Sequence, residues 1–203
     1  MTHRNLHNNT RAGIALLMTM MVLSVVLAVT LAIVELTLKQ LSLSVDSRDS
    51  EIAFHAANAG LECARYTRRS ASTTFERGAN SVPFNCFATT TPLLKKVATT
   101  SLGVATISNG AIGDIHRYKT NISWGSNRCS AIDMITMIVS TSSPSNLIMV
   151  PLPGEFLFPG YVAAQKSCAP GGVCTIASVA GYNVTCGSIA NDGVLKREVL
   201  LEF

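Results

Sequence analysis

The chemistry most constrained by number and placement belongs to six cysteines, Cys63, Cys86, Cys129, Cys168, Cys174 and Cys186. An even count, all on one side of a long apolar segment, points to a framework of up to three disulfides formed in an oxidising compartment. Zinc is the alternative reading. It is the weaker one, because no two cysteines form a C-x-x-C pair, Cys168 and Cys174 stand six apart, and His55 and His116 are isolated in sequence. Two pairings are expected: Cys63–Cys86, which would staple a helix end to the loop after it, and Cys168–Cys186, which would bracket a hairpin. No metal and no cofactor is expected.

Other reactive side chains are sparse. Asp114 and His116 stand two apart on a predicted strand with Ser123 nearby, a combination that arises readily by chance. Nucleophile-elbow, phosphate-loop and metalloprotease-helix motifs are absent from the sequence. The chain is therefore expected not to be an enzyme. Asn121 and Asn183 open N-x-[ST] triplets, a pattern too common to imply glycosylation. Formal net charge is +4, half of it from Arg4 and Arg11, which is too little to indicate a nucleic-acid surface. Arg65, Arg68 and Arg69 cluster, and Lys95 adjoins Lys96; these read as a solvated helix end and loop, and no nucleic-acid partner is expected.

These residues need elements to position them, and the first is unusual. The chain has 203 residues, of which 48% are hydrophobic and 14% charged. Much of the apolar excess lies between Ile14 and Val34, 21 residues without a charge. As a helix this segment covers about 31 Å, the thickness of a bilayer's hydrocarbon core. It is apolar on every face, unlike a helix half-buried in a soluble domain. A removable secretory signal would have a shorter apolar core and small residues at its cleavage site, whereas Glu35-Leu36-Thr37 follows here. Arg4 and Arg11 precede the span without any acid, so the positive-inside tendency sends residues beyond Glu35 outward.

Beyond Glu35, Leu38, Leu41, Val45, Ile52, Ala56, Ala59 and Cys63 recur at helical spacing, with polar residues between them. The first proline is Pro83, so nothing forces a break. Basic Arg68 and Arg69 suit the C-terminus of a helix ending near Ser70. A continuous helix over 14–69 would be about 84 Å long.

A basic leader ending in Gly13, an apolar helix from Ile14, and the run Ala53-Phe54-His55-Ala56-Ala57-Asn58-Ala59-Gly60-Leu61-Glu62 together resemble the type IV pilin superfamily. Within it, the match is to minor pilins and pilus-assembly proteins with a PilX-type N-terminal region. The likeness covers residues 1 to about 66; Gly181–Cys186 and the strand after it are more weakly similar to small pilin-like proteins. The resemblance implies cleavage of the Gly13–Ile14 bond by a membrane prepilin peptidase and methylation of the new N-terminus. It also implies a helix that packs with other pilin subunits and with membrane lipid. Major pilins usually carry glutamate at the fifth mature position; here that position is Met18. The departure shifts the expected role from shaft subunit to minor or tip subunit. A type II secretion pseudopilin and an uncleaved single-pass surface adhesin or receptor are the alternatives.

The division expected is a leader over 1–13, a long helix over 14–69 with its span at 14–34, and an exported β-rich domain over 70–203. Strands are predicted over 102–108, 115–124, 131–140, 146–150, 173–179 and 194–203, each rich in β-branched or aromatic residues and bounded by turn formers. The expected fold class is α+β: an antiparallel sheet packed on the second half of the helix, stapled by disulfides. In the last strand Leu195, Val199, Leu201 and Phe203 share a face, with Arg197 interrupting the row. Phe156, Leu157 and Phe158 lie between Pro-Gly turns, as a plug in the core or as an exposed contact loop. Localisation is expected to be a single-pass membrane anchor with the cysteine-bearing domain exported and, after assembly, on the cell surface or in a pilus.

Overall fold

Strand β5 (Cys129–Val139) reads CSAIDMITMIV, and its apolar side chains point both ways. A strand of that kind must be covered on two faces, and this requirement organises the domain. A computed structural model describes residues 8–84, 86, 93–98, 104–107, 109–125, 127–152, 158, 161, 165–191 and 193–203. Its elements in order are α1 (Asn8–Ser70), α2 (Ser72–Glu76), β1 (Ser81–Pro83), β2 (Leu93–Lys96), β3 (Val104–Thr106), β4 (Gly113–Ser123), β5, β6 (Leu147–Pro151), β7 (Lys166–Cys168), β8 (Val173–Tyr182) and β9 (Lys196–Glu202). The class is α+β. The chain divides into two compact units, up to Ser47 and from Arg48 onward, so the last turns of α1 belong with the sheets.

Six strands form one antiparallel sheet in the order β1-β2-β4-β5-β8-β9, and β3-β6-β7 form a second. Ile132 and Met134 of β5 join Ala177 and Val179 of β8 and Tyr118 and Ile122 of β4 under Leu61 and Ala64 of α1. From the opposite face of the same strands, Ile135, Met137, Val139 and Ile176 pack against Val104, Leu147 and Met149 of the second sheet. The single expected sheet is thus two: the segments near 104 and 147 read correctly as strands but pair with each other. Phe158 is buried in this second cluster, which is the core-plug role, while Phe156 and Leu157 lie outside the described residues.

The helix sits close on the sheet because both surfaces are made of small residues. Ala53, Ala56, Ala57, Gly60 and Ala64 of α1 are buried. A Cβ on Gly60 would stand 2.8 Å from both Ser130 Cβ and Val179 Cγ1. Ser130 Oγ donates to the Ala56 carbonyl at 2.6 Å, and Trp124 Nε1 donates to Ser130 Oγ at 2.6 Å. A serine hydroxyl thereby reaches a helix carbonyl across an interface too narrow for larger side chains. Arg197, which interrupts the apolar row of β9, reaches the helix instead: its Nε donates to Ser50 Oγ at 2.7 Å. Val199 and Leu201 of that row pack on the first cluster as expected.

All six cysteines are bridged: Cys63–Cys86, Cys129–Cys186 and Cys168–Cys174, with Cα separations of 5.6, 5.0 and 5.9 Å. The expected Cys63–Cys86 staple is present. Cys168–Cys186 is not, and the register of β8 explains why. Cys174 stands near one end of β8, with Cys168 across the tight turn before it, whereas Cys186 follows Tyr182 at the other end. Eight residues of extended chain separate those ends by about 26 Å, against the 4–7 Å or so that a disulfide can span. Cys129, opposite Tyr182 in the β5–β8 register, is the cysteine within reach of Cys186. Loop length then ranks the bridges. Replacing both Cys129 and Cys186 by serine should cost about 4 kcal/mol, and replacing Cys168 and Cys174 only about 2 kcal/mol. Denaturant midpoints of the two double variants check the order, and equal midpoints would contradict it.

Candidate functional site

Residues whose side chains face no other part of their own chain mark where this protein meets something else. The large apolar side chains along α1 from Ile14 to Val45 are at least 52% exposed, and Ile14 and Met18 reach 66% and 61%. Between Ile14 and Val34 the apolar surface runs all the way round the helix. Each such side chain is stabilised by roughly 1.5–3 kcal/mol when withdrawn from water, so a bare helix of this composition calls for a covering of lipid or of other apolar helices. Among the described residues this is the one helix long and apolar enough to cross a membrane.

The polar residues inside the segment are arranged for such surroundings. Thr19 Oγ1 donates to the Leu16 carbonyl, Ser24 Oγ to Met21, Thr30 Oγ1 to Val26 and Leu27, and Thr37 Oγ1 to Ile33, all at 2.7–3.0 Å. Each hydroxyl hydrogen is spent on the helix's own backbone three or four residues earlier. None of these four needs water or a neighbouring side chain, which is the condition for lying in hydrocarbon. The hydropathy run does not reveal this, although hydroxyl residues in an otherwise apolar helix are the signal that could have.

Gly13 and Ile14 lie within α1, which begins at Asn8 rather than at Ile14. Asn and Thr before an apolar run favour helix initiation, so an earlier start is physically reasonable. Residues 1–7, including Arg4, lie outside the described residues, as do the side-chain surroundings of Arg11 and Gly13.

The remaining candidates do not converge. Asp114 and His116 share a face of β4, but seven residues separate Ser123 from His116, which puts Ser123 on the opposite face of the strand. His116 packs beneath the turn at Gly78, where its imidazole atoms occupy the space that a Cβ on that residue would need. Burial there holds its pKa below the ordinary histidine value, with Lys96 adding to the effect and Asp114 opposing it. His55 is exposed and lies 3.7 Å from Glu51. Among the described residues no group of three His, Cys, Asp or Glu side chains is placed to hold a metal ion.

The basic cluster at the end of α1 departs from expectation. Arg69 is exposed, but Arg68 is only 7% exposed and stands against the sheet. Its Nε donates to Thr175 Oγ1 at 3.1 Å, and its guanidinium carbon lies 5.6 Å from the centroid of Phe75. A one-dimensional pattern treats adjacent arginines alike, whereas a helix turns 100° per residue and sends one inward. No family model, curated protein or solved structure matches this chain.

Proposed function

We propose that this chain is a non-enzymatic minor or tip subunit of a type IV pilus, anchored in the membrane by α1 and assembled through it with other pilin subunits. The observation that carries this reading is the uncovered apolar helix running from Ile14 into a helix end docked on a disulfide-stapled sheet. A helix of that kind serves two environments in turn. In the bilayer its apolar faces meet lipid; in a filament they meet the same segment of neighbouring subunits. The hydroxyls bonded to their own backbone suit both. The domain from Arg48 onward is held by three bridges, which suits life outside a reducing compartment.

Met18, where a shaft subunit would carry glutamate, leaves the mature ammonium of Ile14 without a charged partner within its own segment. Burying such a charge repeatedly along a homopolymer is costly, and a single copy at a tip or initiation complex escapes that repetition. The prepilin peptidase is the expected processing partner, acting at Gly13–Ile14.

The N-terminus of the protein in native membranes and in sheared surface fractions tests this. Intact mass and sequencing should give a chain beginning at Ile14 with a methylated amine, present in the sheared filaments. A chain beginning at Met1 and confined to membranes would overturn the pilus reading and leave an ordinary anchored surface protein.

A further inference from the structure

We propose that the domain binds a small monoanion, a carboxylate carried on an apolar body, in a pocket at the C-terminal end of α1. The pocket has a volume of about 350 Å³ and is bounded by Arg68, Arg69, Glu76, Val173, Thr175 and Phe203. Ligand sites span roughly 300–1,000 Å³, so there is room for a compact organic acid. This site belongs to the unit from Arg48 onward and is independent of what covers the apolar helix.

Arg68 carries the inference. Its side chain is more than nine-tenths withdrawn from solvent, and its Nε hydrogen bond to Thr175 and its seat over Phe75 fix the plane of the guanidinium. Among the described residues no carboxylate comes within ion-pairing distance of it. Its two terminal nitrogens have no hydrogen-bond partner among those residues, yet neither is among the fully enclosed polar atoms, so they face the pocket. A buried guanidinium with an open fork is the arrangement that takes a carboxylate through two parallel hydrogen bonds. Burial pushes the Arg68 pKa below its ordinary value, opposed by the charge on Glu76. An anion in the pocket would offset that cost through its opposite charge, as Glu76 does in part.

The rest of the lining sets the class of ligand. Among the lining side chains, Arg68 and Arg69 against Glu76 leave one positive charge, which favours a monoanion over a phosphate dianion. Thr175 Oγ1 already accepts from Arg68, so its hydroxyl hydrogen remains available to the ligand. Val173 and Phe203 supply apolar walls for the body of the acid.

The test uses the full chain, ¹⁵N-labelled, in non-ionic maltoside micelles, titrated at constant ionic strength with phenylacetate, acetate and inorganic phosphate. Phenylacetate should shift the Arg68 Nε–Hε resonance and the Val173 and Thr175 amides saturably, more tightly than acetate. Arg68→Lys keeps the charge but loses the fork, and should weaken binding roughly tenfold. Arg69→Gln, at an exposed position that folding should tolerate, should weaken it roughly twofold to fivefold. Absence of saturable shifts with phenylacetate, tighter binding of phosphate, or unchanged affinity in Arg69→Gln together with a folded Arg68→Lys would overturn the proposal.

Discussion

Replacing Gly181 by alanine should destabilise the domain by about 3 kcal/mol or more. A Cβ there would overlap the carbonyl oxygen of Ala53 and the amide nitrogen of Ala57, and would stand 2.9 Å from Ala57 Cα. All three are backbone atoms of α1, so no rotamer change relieves the clash and the helix must lift from β8. Lifting it stretches the Ser130–Ala56 hydrogen bond and the Asn183 Nδ2 bond to Asp49 Oδ2, now 3.0 Å. Trp124, the single tryptophan, bonds Ser130 and packs on the adjoining cluster, so its fluorescence during denaturant titration of the detergent-solubilised chain reports the loss. Gly187 has nothing within 4 Å of an added Cβ. Gly187→Ala is the control and should stay within about 0.5 kcal/mol of the parent. Equal midpoints for the two variants would mean that α1 does not rest on β8 as described.

The second large effect belongs to the other unit. Arginine at both Leu23 and Leu27 should keep the chain out of the membrane. The two positions are one turn apart near the middle of the apolar segment, and each is about 60% exposed within the chain. A central arginine costs roughly 3 kcal/mol of insertion free energy, and these two, about 6 Å apart along the helix axis, both fall within the hydrocarbon core. Because both leucines lie in the unit that ends at Ser47, whereas Trp124 and the three disulfides lie in the unit from Arg48 onward, the Trp124 signal and the disulfides should survive unchanged. Leu23→Ala with Leu27→Ala should still insert. Immunoblotting of carbonate-washed membranes distinguishes the outcomes, and full retention of the arginine variant in the pellet would sink the membrane-spanning reading.

How far the sequence reaches can be judged residue by residue. The end of α1 near Ser70 was legible because Arg68 and Arg69 are the right charges for a helix C-terminus. Six strands were legible because β-branched runs bounded by turn formers leave few other conformations. The short strands β1, β2 and β7 and the five-residue helix α2 were missed. Leu93–Lys96 holds two lysines and too few residues to show alternation; its partners on either side, through the Ser81–Lys95 and Lys96–Tyr118 registers, are what make it a strand. Of the helix's periodic set, Ala56 and Cys63 are buried as expected, but the contact stripe is wider than the set. Ala59 is half-buried, while Ala53, Ala57 and Gly60 meet the sheet, because alanine carries little hydropathy contrast and only the shape of the facing strand selects among them.

Determined by the sequence alone were the long apolar helix, the α+β class and the disulfide-forming cysteines, since each follows from composition or periodicity along the chain; the Cys63–Cys86 staple was expected and is present, but the sequence left other pairings open. Tertiary structure alone decided the second sheet, the Cys129–Cys186 and Cys168–Cys174 bridges and the inward turn of Arg68. Those depend on which strand ends lie side by side and on which face of a strand needs cover: even Cys168 and Cys174, only six residues apart, are paired by the turn between β7 and β8 rather than by any pattern in the sequence, and contacts between residues far apart along the chain leave no local pattern to read.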